Sequence, residues 1–306
     1  MNLLKLIRYP NLLMLALMQL IFRYGFFKLQ NIPSALNDFQ YLLLVFSTVC
    51  IAAGGYIINN IFDVESDNDN KPQNVIIGKT ISETKAYNLY IGFTVIGVVT
   101  GFYLSNVIDK PGFAALFIII AATLYQYAAN WKRTLVIGNI IVALLLSASI
   151  LIIGVFDLYP IVNTNNKAFL GIIFQILIDF AVFAFMINFI REIVKDIEDM
   201  DGDDNQGMRT LPIVLGFAKT TKLVFGLSFI PVIAILFYIY NYLFELLYGT
   251  LYLLVFVVGP LLFFTIKIWT AKTKKDFHIL SLLLKWILFF GILSIVVISL
   301  NMKYNA

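Results

Sequence analysis

Apolar residues run along this chain in long blocks and do not alternate with polar ones. Nine stretches are predominantly apolar, at roughly 11–29, 41–62, 86–106, 112–129, 135–156, 168–190, 222–243, 246–266 and 277–300. Blocks of this length match a transmembrane helix, which needs about 20 apolar residues. They are too long and too lightly punctuated for barrel strands of about 10 alternating residues. The pattern predicts an all-α membrane protein of nine transmembrane helices, folded as one domain over residues 1–306. Lys5 and Arg8 precede the first block, as in a signal peptide. The block runs on through Phe22 without a small-residue cleavage site, so it reads as an uncleaved first helix.

Composition agrees with the pattern. Of the 306 residues 60% are hydrophobic and 13% charged, against about 25% charged in an ordinary soluble domain. A bilayer as solvent explains the deficit. The single cysteine, Cys50, excludes a disulfide framework and reads as a buried, inert thiol. No zinc, haem or nucleotide motif is visible, and the sequence implies neither a nucleic-acid partner nor an obligatory protein partner.

Net charge is +4, but the placement of charge says more. With nine helices, sixteen of the 22 Lys and Arg residues fall on the side that holds the N-terminus and the loop after each even helix. The other side holds Arg23, Lys28, Lys110, Lys167 and Lys303, while Lys285 lies within the ninth block. The positive-inside rule puts the richer side in the cytoplasm. Twelve of the 18 acidic residues crowd into two stretches on that side. One follows the second block: Asp63, Glu65, Asp67, Asp69 and Glu83. The other follows the sixth: Glu192, Asp196, Glu198, Asp199, Asp201, Asp203 and Asp204.

Spacing sharpens the picture. Asn59, Asp63 and Asp67 stand four apart, and Glu192, Asp196, Asp199 and Asp203 are spaced 4, 3 and 4. On a continuing helix each set lines one face. Stacked like charges repel, so a cation is expected among them. Oxygen-only ligands select a hard ion, Mg²⁺ or Ca²⁺. Mg²⁺ commonly takes one or two carboxylates together with substrate phosphates, which points to a diphosphate. Lys132 and Arg133 after the fourth block, with Arg191, Lys195 and Arg209 around the second acidic stretch, supply positive charge for such a leaving group. Charged side chains near hydrocarbon are costly and usually functional. A lone carboxylate row at a helix end is often only a solvated terminus; two on one side, flanked by cations, are not read that way.

These residues resemble the UbiA superfamily of intramembrane prenyltransferases. Asn59, Asp63 and Asp67 match the family's first aspartate motif, with Asn60 where aspartate is usual. Asp199 and Asp203 match the second, with Asp196 at a commonly acidic position. Gly207 and Arg209-Thr210-Leu211-Pro212 follow as in the family, and Lys132-Arg133 fits its basic pair. The stretch Asn70-Lys71-Pro72-Gln73-Asn74-Val75-Ile76 departs from the usual continuation of the first motif, with Lys71 in place of an arginine. The resemblance implies a nine-helix bundle with an aspartate-rich cavity on the cytoplasmic side. It implies Mg²⁺ held by Asp63, Asp67, Asp196, Asp199 and Asp203. Of these, Asp63, Asp67, Asp199 and Asp203 would be catalytic through the metal. Asn59, Lys132, Arg133, Lys195, Arg209 and Tyr127 would contact the substrate.

By the same resemblance the reaction moves a prenyl group from an allylic polyprenyl diphosphate to a lipid-soluble acceptor. The segment from Arg191 to Asp199 looks most like the branch that alkylates geranylgeranylglycerol phosphate in ether-lipid synthesis. Aromatic, quinone-precursor and haem prenylation are the alternatives within the superfamily. The abundant basic residues near the motifs favour a phosphorylated acceptor. A cation-coupled transporter is the reading from another class, disfavoured because the acids sit at helix ends, not mid-membrane. Asp179, deep in the sixth block, is the exception and a candidate partner for Lys285. Tyr125 and Tyr127 could face an allylic cation, although tyrosines at this level often only anchor a helix. His278, the single histidine, reads as an interfacial or capping residue.

Overall fold

A computed structural model describes residues 2–70, 72 and 75–304; at Ser66 and Asn70 the backbone alone is described. Lys71, Gln73 and Asn74, which carry part of the departure noted after the first motif, lie outside the described residues. Among the described residues nine helices are long and apolar enough to cross a membrane. They are α1 (Tyr9–Phe27), α2 (Asp38–Phe62), α3 (Glu83–Val107), α4 (Pro111–Ala129), α5 (Ile137–Ile161), α6 (Lys167–Asn205), α7 (Phe217–Leu243), α8 (Leu247–Thr270) and α9 (Lys274–Tyr304). The nine apolar blocks are therefore nine helices. Large side chains such as Ile91, Val99, Ile172, Phe237 and Ile266 stand exposed along them, as expected of surfaces that meet lipid.

Contacts divide the chain into two compact units. The first is Met1–Gln19, Pro33–Thr134 and Ala148–Leu177. In it α2 packs along much of α3 and also meets α4. The close approach is possible because α3 carries glycine at the contact. A Cβ on Gly97 would stand 3.0 Å from the carbonyl oxygen of Ser47, whose own hydroxyl donates to the Gly97 carbonyl at 2.7 Å. Small residues that let backbones approach are the usual adhesive between membrane helices, where the hydrophobic effect gives little. Some buried polar groups inside this unit pair across helices. The Tyr41 hydroxyl donates to the carbonyl of Gln19, and the Gln19 amide donates to that of Ser149. Below the first acidic stretch, Leu6, Ile57, Ile58, Ile61, Ile77, Ile81, Ala86 and Ala128 form a buried cluster. It fixes the end of α2 from which Asn59 and Asp63 project.

The second unit is Leu20–Ile32, Leu135–Ser147 and Ile178–Ala306. Here α8 packs between α7 and α9, and the end of α1 lies against α9. Asn301 uses one side-chain oxygen to accept from the backbone N–H groups of Tyr248 and Gly249, capping the start of α8. Three π-helical turns, at Ile21–Phe27, Ile239–Leu243 and Leu254–Val258, interrupt the regular bonding of α1, α7 and α8.

Candidate active site

The first acidic row forms where α2 ends. The last helical residue is Phe62; Asp63 adopts φ −93° and ψ 0°, and a short helix resumes over Val64–Asn70. Hydrogen bonding keeps its four-residue step across this break. The N–H of Asp63 donates to the Asn59 carbonyl at 3.0 Å, and that of Asp67 to the Asp63 carbonyl at 2.8 Å. Asn59, Asp63 and Asp67 therefore stay in one row, as the spacing predicts. Asp63 is buried, with 4% of its surface exposed. Its carboxylate accepts from the Asn59 amide at 2.6 Å and is ion-paired with Lys132. Lys132 is delivered by the turn Trp131–Arg133 that closes α4, with the Thr134 hydroxyl bonded to the Trp131 carbonyl.

One atom in this group lacks a partner. Oδ1 of Asn59 is buried and accepts no hydrogen bond among the described residues. A buried acceptor left bare costs roughly 1–3 kcal/mol, and a hard cation would satisfy it. The donor set of amide and carboxylate oxygens fits Mg²⁺. Among the described residues no three acids stand together as a self-sufficient metal cage.

Asn60 accounts for its own departure from the motif. Its amide donates to the carbonyls of Tyr56 at 2.7 Å and Leu6 at 3.1 Å, tying the short helix Asn2–Leu6 to α2. A carboxylate has no donor to offer there. Asn60 therefore fastens the short helix to α2.

The second acidic row lies on an unbroken helix. Sequence reading stopped the sixth apolar block near 190, yet α6 continues to Asn205 and carries the whole row. Its end is set by Gly207. At φ +65° this residue lets its N–H reach the Asp204 carbonyl at 2.9 Å and that of Met208 reach Asp203 at 3.0 Å, the glycine-ended cap. Glu192 and Asp203 are buried, and Asp196 and Asp199 partly so. Glu192 accepts from Arg191 at 3.0 Å and Lys195 at 2.9 Å, so the cation expected among these acids is supplied in part by their own helix. Asp196 accepts from the Asn139 amide at 2.8 Å.

The other expected residues sort clearly. Arg133 and Arg209 are exposed, and Tyr127 is half-buried. Asp69, Asp201 and Asp204, off the two rows, are exposed. Tyr125 meets Phe62 and Tyr90 and borders an open, mostly apolar groove of about 450 Å³ between α3 and α4. Asp179 lies within electrostatic reach of Tyr238. His278, expected as an interfacial or capping residue, pairs through Nδ1 with the buried Glu198 at 3.2 Å. Sequence reasoning missed Asn139. An amide inside an apolar helix, next to Gly138 and just past the basic pair, was the available signal.

The model of the UbiA prenyltransferase family matches residues 19–300. The chain belongs to the UbiA prenyltransferase family. Among UbiA relatives, the digeranylgeranylglyceryl phosphate synthase of Korarchaeum cryptofilum is 32% identical over 202 residues, 65% of each chain. The chain thus spans just under two thirds of that relative's length. A solved structure described as digeranylgeranylglyceryl phosphate synthase in membranes is 25% identical, with a TM-score of 0.62 over 97% of both chains. A UbiA homologue from Archaeoglobus fulgidus, bound to DMAPP and Mg²⁺, has a TM-score of 0.60 at 17% identity over 96% of this chain and 99% of its own, and supports the fold alone.

Proposed function

We propose that this chain transfers a prenyl group from an allylic polyprenyl diphosphate to the free hydroxyl of an isoprenoid glyceryl phosphate. The observation that carries the reading is the group at the end of α2: a buried carboxylate, Asp63, with Lys132 bound to it and the bare Asn59 oxygen beside it. Such a group is poised to exchange a protein cation for a metal–diphosphate. Bound Mg²⁺ would neutralise the diphosphate as it leaves. Asn59, Asp63 and Asp67 would hold it from one row, and Asp196, Asp199 and Asp203 from the other. Lys132 and Lys195 are half-exposed at the acids they now neutralise; released from them, they would bind phosphate oxygens. Arg133, Arg209 and Tyr127 remain substrate contacts in this proposal.

In the reaction the allylic carbon–oxygen bond breaks and its electron pair leaves with the diphosphate. The acceptor hydroxyl attacks the allylic carbon and loses its proton. Both rows belong on the cytoplasmic side, on the strength of the basic-residue count. Family membership favours transfer over the cation-coupled transport weighed from the sequence. The names of the relatives support the glyceryl phosphate as acceptor over an aromatic one. The test is to incubate the purified protein, in lipid nanodiscs with Mg²⁺, with radiolabelled geranylgeranyl diphosphate and a panel of acceptors. Labelling of the glyceryl phosphate supports the reading; labelling of only aromatic acids or quinone precursors overturns the acceptor.

A further inference from the structure

The start of α9 meets the polar end of α6 through three contacts in register. Lys274 is paired with Asp201 at 2.8 Å, and Nδ1 of His278 lies 3.2 Å from a Glu198 oxygen. The Ser281 carbonyl accepts from Nε of Arg191 at 3.3 Å. Along α9 these positions are spaced 4 and 3; along α6 their partners are spaced 3 and 7, in reverse order. Each set therefore falls on one face of its helix, and the contacts form one antiparallel polar seam. All six residues lie in the second unit.

The α9 side of the seam is built firmly. The Thr273 hydroxyl accepts from the N–H of Asp276 at 3.2 Å, and the Asp276 carboxylate accepts from the N–H of Thr273 at 2.9 Å, a reciprocal cap on the first turn. Phe277, 1% exposed, meets Phe217 edge-on at 5.5 Å and ties that turn to the start of α7. The α6 side has less packing to hold it. Ile197 is the last buried apolar side chain of this helix, while the acidic row runs on to Asp203. At 3.6 residues per turn, Arg191, Glu198 and Asp201 share an arc of about 80°. Asp196, Asp199 and Asp203 lie between about 100° and about 160° around the helix from Glu198. The seam thus grips one side of α6 while the row stands on another.

We propose that His278 is a positioning residue, which through Glu198 fixes the rotation of α6 and so aims Asp196, Asp199 and Asp203. The proposal rests on the transfer reading, in which these acids hold the metal, and adds a residue to it. Glu198 is the buried acid of the seam: its side chain is 8% exposed, against 74% for Asp201. A carboxylate only accepts, so Nδ1 of His278 carries the hydrogen. Without that donor the buried carboxylate turns toward water, and α6 turns with it. Side-chain tips lie about 5 Å from the helix axis, so a twist of about 10° moves a carboxylate by about 1 Å. A misplacement of that size lowers a rate by about 100-fold.

The test compares His278→Leu, which keeps bulk but no donor, with His278→Asn, whose amide N–H can take the place of Nδ1. The Mg²⁺ concentration for half-maximal transfer should rise about 10- to 100-fold in His278→Leu, as for other groups behind a metal ligand, and stay within about threefold of wild type in His278→Asn. Glu198→Leu should match His278→Leu, and the double variant should be no worse than either, because the two side chains act as one pair. A His278→Leu protein that loses thermal stability but keeps the wild-type Mg²⁺ requirement overturns the proposal. So does a His278→Asn protein as impaired as His278→Leu. If the wild-type protein transfers no label, it is the transfer reading that fails, and titration with Mn²⁺ followed by electron paramagnetic resonance still decides the positioning. About tenfold weaker Mn²⁺ binding by His278→Leu than by wild type supports it; equal binding, or none by either protein, overturns it.

Discussion

The two acidic rows share a helical spacing but reach it by opposite routes. The first crosses a break at Asp63, where α2 ends and a short helix resumes, and its neutralising cation, Lys132, comes from a turn 69 residues later in the chain. The second lies on one uninterrupted helix, and the cations paired with its Glu192, Arg191 and Lys195, come from that helix. The difference shows what a buried carboxylate requires. Whichever backbone carries it, a partner must be present before any ligand arrives, because an unpaired charge there would be expelled or protonated. In the second row the pair is local and falls on Glu192.

This contrast can be broken by mutation. The largest effect is expected at Asp63, where Asp63→Ala should lower turnover about 10³-fold, the loss typical of one preorganised electrostatic group, with the protein still inserting and purifying as a monodisperse species. Asp199→Ala should match it in size if both rows act on one diphosphate. A residual activity within a fewfold of wild type for either variant would remove that residue from the site. Next comes Asn139→Ala. Asn139 acts on Asp196 from outside, so the Mg²⁺ concentration for half-maximal activity should rise about 10- to 100-fold, as for other residues behind a metal ligand. A fall in kcat with no change in Mg²⁺ requirement would place Asn139 in packing alone.

Smaller effects test the helix ends. Gly207→Ala puts a Cβ on a residue at φ +65° and should cost about 1 kcal/mol, visible as a few degrees in thermal unfolding, because it frays the end of α6. The first row has no such glycine stop. Smallest of all, Asp201→Ala removes an exposed pair with Lys274; such pairs contribute at most about 1 kcal/mol, and activity should stay near wild type. A large loss would extend the functional row beyond the face now assigned.

Much of this was legible in the residues. Nine apolar blocks became nine helices among the described residues, because the bilayer's demand on length and composition leaves few alternatives. The rows were legible because the helical period holds even across the break at Asp63. What was hidden depended on backbone or distant partners. Asn60 reads as a degraded ligand until its amide is seen on the carbonyls of Leu6 and Tyr56. Lys132 reads as a substrate contact, and nothing local announces that it first belongs to Asp63. The apolar block stops near 190 because apolar runs mark the membrane, not the helix; the 4, 3, 4 spacing of the acids is what reads as the helix's polar continuation, and α6 does run to Asn205.

Central to the proposed function is prenyl transfer that depends on a hard cation. It is tested most directly by following label from geranylgeranyl diphosphate into geranylgeranylglyceryl phosphate in the presence of EDTA, then on adding Mg²⁺ back. The account predicts no product with EDTA and full recovery with Mg²⁺, and no recovery in Asp63→Ala. Undiminished transfer in metal-free buffer would contradict it.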